Sequence, residues 1–127
     1  MDDLKIAVVG IGATGAVLAA ALLKQDPETV LVDPAPGLRD AVQTNGISIT
    51  GEVTYQVPVR HIFERIEMLK GINPNLIFVS TKTFHLPAVL EELKGVFSEG
   101  TKIVSTHNGL GTEDLIAETF GPDADHL

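Results

Sequence analysis

Apolar residues near the start of the chain fall into two patterns. Ile6, Ala7, Val8 and Val9 form an unbroken run, as expected of a parallel strand covered on both faces. Thr14 to Lys24 follows with almost nothing polar, and Ala16, Ala19, Ala20 and Leu23 share one side at helical spacing. That predicts a buried helix. A second strand is predicted over Thr29 to Val32, and Pro36 to Thr44 reads as a short helix stopped by Asn45 and Gly46. Ile47 to Thr50 and Val53 to Val57 alternate apolar and polar residues around Gly51 and Glu52, which suits a small hairpin with one face in water. Ile62, Ile66 and Leu69 bring back a weak helical period until Asn73, Pro74 and Asn75 break it. This middle region reads as an insertion or a peripheral layer.

A buried strand is predicted again over Leu76 to Ser80, and its carboxyl end delivers Thr81, Lys82 and Thr83. Leu86, Val89, Leu90, Leu93 and Phe97 have helical spacing; Lys102 to Ser105 reads as a strand, and Glu113 to Phe120 opens a last helix. Four buried strand candidates alternating with helices predict an α/β fold, a doubly wound, mostly parallel sheet with a small hairpin insertion. Ligands of such sheets sit outside the carboxyl ends of the strands.

The first strand runs directly into Gly10, Gly12 and Gly15, a complete GxGxxG. Strand, glycine turn, helix and second strand make a βαβ unit of the Rossmann type, which holds a dinucleotide pyrophosphate. In it Gly10 allows a sharp turn, Gly12 a close approach of the phosphates, and Gly15 close packing of helix on sheet. The grip is mostly main chain, because unpaired N–H groups and the helix dipole favour an anion at that end. The predicted cofactor-binding residues are therefore Gly10, Ile11, Gly12, Ala13, Thr14 and Gly15. Asp33 ends the second strand close to the offset of about 20 residues at which an acid meets the adenosine ribose hydroxyls; it also reads as a solvated turn residue before Pro34. Lys82 at the strand-end rim can offer a cation to a phosphate, a ribose hydroxyl or a carboxylate substrate, or be a solvated surface lysine. Asn108 before Gly109 is first of all a turn signal.

Composition narrows the picture. At 127 residues there is room for one domain with a proper core and not for two. With 44% hydrophobic and 20% charged residues the balance is that of an ordinary soluble α/β domain. The absence of cysteine excludes disulfides, thiolate catalysis and Cys-based zinc sites. A net charge of −8 argues against nucleic-acid or anionic-membrane partners. Lys24 interrupts the apolar run long before the roughly 20 residues a bilayer requires. The opening Met1, Asp2, Asp3 lacks a signal peptide's positive region, so a cytoplasmic home is expected. His61, His85, His107 and His126 show no HxH or HxxxH spacing, so no metal site is expected; His107, beside the presumed site, reads as a polar loop residue.

Gly10, Gly12 and Gly15, the strand-end Ser80, Thr81 and Lys82, the segment Asn45 to Ile47 before a hairpin, and the run Asn108, Gly109, Leu110, Gly111 resemble the amino-terminal domain of ketopantoate reductases (2-dehydropantoate 2-reductases). The resemblance covers essentially the whole chain, and the lysine paired with the Asn-Gly-Leu-Gly run is its most specific element. It implies hydride transfer from a reduced nicotinamide cofactor, usually NADPH, to the ketone of 2-dehydropantoate, giving pantoate for pantothenate and coenzyme A synthesis. It implies that Thr81, Lys82 and Asn108 lie at the cofactor, with Lys82 and Asn108 also beside the keto acid substrate.

Two departures from that pattern stand out. Family members carry a second, helical domain that supplies a lysine as general acid and a glutamate for substrate, and this chain stops at Leu127. The expectation is a fragment, residues 1–127 being the dinucleotide-binding domain, that binds cofactor without turnover and contains no catalytic residue; a homodimer is one outcome open to it. Many members also place an arginine just after the second strand to pair with the NADPH 2′-phosphate, where this chain has Asp33 and Pro34. A carboxylate there suits free ribose hydroxyls and repels a phosphate, so the cofactor expectation, NAD(H) or NADP(H), leans to NAD(H); Arg39 on the next helix remains within reach of a phosphate. Two other readings compete: another hydroxyacid or opine-type dehydrogenase, and an NAD-sensing regulatory module without chemistry.

Overall fold

The computed structural model describes residues 5–50, 55–80, 86–96 and 101–106. In chain order the elements are β1 (Ile6–Val9), α1 (Ala13–Gln25), β2 (Val30–Val32), α2 (Leu38–Asn45), β3 (Ile47–Ile49), β4 (Tyr55–Val57), β5 (His61–Phe63), a 3₁₀ helix (Ile66–Gly71), β6 (Leu76–Val79), α3 (Leu86–Leu93) and β7 (Lys102–Ser105). Among the described residues five strands form one sheet in the order β5-β2-β1-β6-β7, and every pairing in it is parallel.

Successive side chains of a strand point to opposite faces, and this sheet uses both. Ala7, Val9, Val30, Val32, Ile77 and Ile103 face a core closed by Leu69 of the 3₁₀ helix and by Leu90 and Leu93 of α3. Val8, Leu31 and Ile62 face the other way, onto Ala19, Ala20 and Leu23 of α1 and Val42 of α2. The unbroken apolar runs of β1 and β2 follow from this: a strand buried on both sides has no polar position to spare. The doubly wound architecture expected from the sequence is the one observed.

The helical period expected from Ile62 onward does not hold at its start. His61 to Phe63 do not belong to a helix; they form β5, an edge strand of the main sheet in register with β2 (Leu31↔Ile62). A strand of three residues with only Ile62 fully buried carries too little alternation to show itself, and it is β2's free edge that orders it. Ile66 and Leu69 do recur on one helical face, but with the three-residue period of a 3₁₀ turn. The hairpin is as expected, with Ile47 and Val57 inward and Ser48 and Gln56 exposed. It is less peripheral than expected, since Ile47 and Val57 join the core beneath α1. α3 ends at Leu93, while Phe97, residues 51–54 and the predicted last helix lie outside the described residues. Among the described residues no helix is long and apolar enough to cross a membrane.

At the edge away from the strands' carboxyl ends, Glu28 clasps the starts of β2 and β5. Its Oε2 accepts from Arg60 at 2.5 Å, and Oε1 lies 2.8 Å from His61 Nε2. The hydrogen bonds from His61 and then Arg60 hold the Glu28 carboxyl below its ordinary value of 4.5. A group whose folded-state value is depressed stabilises fully above its unfolded value, and that contribution disappears as pH falls through the folded one. Glu28→Gln is therefore expected to lower the urea midpoint at pH 6, and the difference from the parent chain is expected to shrink as the pH is lowered through the carboxyl's titration. A midpoint difference that stays constant as the pH is lowered would refute the clasp.

Candidate functional site

Gly10 ends β1 with φ +98°, a conformation that side-chain-bearing residues rarely adopt. Its N–H donates to the Val32 carbonyl at 2.8 Å, so the chain leaves the sheet across the end of β2. Gly12 precedes α1 in extended conformation, and its carbonyl accepts the Ala16 N–H at 2.8 Å. A Cβ placed on Gly12 would meet nothing within 4 Å. Gly15 is the opposite case: a Cβ there would stand 2.0 Å from the Gly10 carbonyl oxygen and 3.1 Å from Ser80 Cβ. The first turn of α1 thus presses against the ends of β1 and β6. Ala13 and Thr14 complete that turn, whose N–H groups have no acceptor within the helix.

Asp33 is neither free nor merely a turn residue. Its Oδ2 accepts the Ile11 N–H at 2.7 Å and its Oδ1 the Ala35 N–H at 2.9 Å, while its own N–H donates to Phe63 at 3.0 Å. The carboxylate fastens the glycine turn to the end of β2. Each oxygen keeps a second lone pair that a hydroxyl can use.

A cleft of about 1090 Å³ lies over the carboxyl ends of the strands, with Gly10, Gly12 and Asp33 on its walls. Ser80 stands at the end of β6, its Oγ 3.1 Å from Thr106 Oγ1 at the end of β7. The predicted residues Gly10, Gly12 and Asp33 come together here, and Ile11 and Gly15 are tied to them by the contacts above. Thr81, Lys82 and Asn108 lie outside the described residues, as do His85, His107 and His126. No group of three metal-ligating side chains occurs among the described residues.

The sequence profile described as Ketopantoate reductase PanE/ApbA matches residues 6–126. The chain belongs to this family. It is similar to the 2-dehydropantoate 2-reductases of Streptococcus pyogenes (30% identical over 113 residues, 87% of this chain and 35% of that protein) and Aquifex aeolicus (30% over 119 residues, 93% and 36%). It spans about a third of the length of these curated relatives. The crystal structure of the Geobacter metallireducens 2-dehydropantoate 2-reductase superposes with a TM-score of 0.80 at 27% identity, covering 96% of this chain and 40% of that one. A ternary structure of D-mandelate dehydrogenase with NADH and anilino(oxo)acetate superposes at 0.84 with 23% identity, covering 96% and 39%, and shares the fold.

In this member of the ketopantoate reductase family the two described arginines that follow β2 and β5 are engaged by acids. Arg39 of α2 places Nε 3.4 Å from the Ile62 carbonyl and Nη1 3.4 Å from Glu64 Oε1. Arg65, which the sequence reading did not single out, pairs through Nη1 with Glu67 Oε1 at 3.1 Å. Glu64, Arg65 and Glu67 all line the cleft. They follow β5, so a reading that took β5 for a helix had no reason to place them at the strand ends.

Proposed function

We propose that this chain is the dinucleotide-binding domain of an oxidoreductase that reduces a small keto acid of the 2-dehydropantoate type, and that it prefers NAD(H). The observation that carries the reading is the cleft: an uncapped helix start, a glycine whose Cβ position is open space, and a carboxylate fixed at the end of β2. These fit an extended dianionic pyrophosphate flanked by a ribose with free hydroxyls. When bound, the cofactor supplies hydride.

The chain's own part is to hold and orient. Backbone N–H groups of Gly12 to Gly15 face the pyrophosphate, and Asp33 accepts from the ribose while keeping the turn closed. The substrate assignment rests on family membership and on relatives that carry the activity in their names. Thr81, Lys82 and Asn108 are the residues we assign to the nicotinamide half, Lys82 and Asn108 also to the keto acid. Reduction of a ketone needs the developing alkoxide protonated or stabilised, and we place that acid in a further, helical domain outside these 127 residues.

Titration of the chain with NADH and NADPH, followed by cofactor fluorescence because the chain has no tryptophan, tests this. Saturable NADH binding, tighter than NADPH, is the expected result, with no steady-state consumption of NADH on adding 2-dehydropantoate. Failure to bind either dinucleotide defeats the reading, and turnover defeats the assignment of the acid to another domain.

A further inference from the structure

The walls of the cleft beyond Asp33 are built by the loop after β5. β5 runs parallel to β2 with Val32 opposite Phe63, and the Asp33 N–H donates to the Phe63 carbonyl. Glu64 to Glu67 therefore begin directly beside the residue that meets the adenosine ribose. Both arginines within this region are already matched to acids, Arg39 to Glu64 and Arg65 to Glu67. The two glutamates themselves border the cleft.

We infer that Glu64 and Glu67 are specificity-determining residues that exclude a 2′-phosphorylated dinucleotide. They act in two ways: their own charge adds to that of Asp33 against a dianionic phosphate, and they occupy Arg39 and Arg65, the cations that would otherwise receive it. The inference rests on the proposed dinucleotide site and deepens it, moving the cofactor choice from Asp33 alone to the loop that follows β5. Both glutamate side chains are more than half exposed. Their effect on an incoming phosphate is consequently screened by salt, over a Debye length of about 10 Å at 0.1 M. Exposure also means that Glu→Gln exchange leaves the core untouched, whereas any change at Asp33 would loosen the turn at Ile11.

The test is the dissociation constant for NADH and NADPH of the parent chain and of the double variant Glu64→Gln with Glu67→Gln, at 0.05 M and 0.5 M salt. At low salt the double variant is expected to bind NADPH about tenfold more tightly than the parent, with NADH changed less than about twofold, and the gain is expected to shrink at high salt. A parent chain that prefers NADH, with a double variant that keeps the same NADH-to-NADPH ratio, overturns the inference and leaves the proposed site standing. A gain insensitive to salt overturns it too, because it would not come from these charges. A parent chain that binds neither dinucleotide, or prefers NADPH, defeats the site reading or its cofactor preference and this inference with it.

Discussion

Gly15→Ala is expected to cost the chain a substantial part of its stability, about 3 kcal/mol. In an exposed helix the same change would stabilise by about 1 kcal/mol, because alanine is the better helix former. Here the new methyl carbon would stand 2.0 Å from the Gly10 carbonyl oxygen and 3.0 Å from its carbon. Those are backbone atoms at the end of β1, and Gly10 is itself held by the bond from its N–H to Val32. Relief requires α1 to lift away from the sheet, and α1 brings Ala19, Ala20 and Leu23 into the core with Val8 and Leu31. Overpacking typically costs 1–3 kcal/mol and sometimes more. Against a total of about 5–15 kcal/mol, a loss of about 3 kcal/mol corresponds to a fall in Tm of the order of 10 °C or more. Scanning calorimetry of the two chains checks this, and a variant melting within about 2 °C of the parent would show that the helix start is not pressed on the turn.

Gly12→Ala is expected to do the reverse, sparing the fold and removing the ligand. The backbone at Gly12, with φ −74° and ψ −167°, is extended and open to any residue. A Cβ there meets no atom within 4 Å, and Gly12 lines the cleft. In the proposed site the methyl group would stand where the pyrophosphate approaches the N–H groups of the first turn. Because alanine is a poorer N-cap than glycine, Tm is expected to fall by no more than about 4 °C, while NADH affinity falls at least about tenfold, equivalent to about 1.4 kcal/mol. Equal affinity in the variant would mean that the dinucleotide does not pass over Gly12. Two alanines three positions apart thus separate the two demands on the glycine turn, one set by packing and the other by the ligand.

The βαβ unit was legible because each of its parts is local. A run buried on both faces, a glycine turn and an alanine-rich helix leave their marks within a few residues of one another, and Lys102 to Ser105 appears as the strand it was expected to be. β5 was illegible for a physical reason. Three residues cannot show a period, and His61 to Phe63 become a strand through the edge that β2 offers them. With β5 hidden, the cleft wall of Glu64, Arg65 and Glu67 was hidden as well. Arg39 was noticed as a cation within reach of a phosphate, yet its pairing with Glu64, 25 residues further along the chain, has no local trace.

By itself the sequence determined the winding of the chain on two faces of a parallel sheet and the position of the glycine turn that we propose as the dinucleotide's grip, since periodicity and glycine spacing are properties of neighbouring residues. Only the tertiary structure decided what surrounds that grip. The Asp33 carboxylate bonding to Ile11 across 22 positions, the fifth strand, and the ion pairs along the cleft all depend on segments distant in sequence, which meet only when their hydrogen bonds and charges find partners in the folded chain.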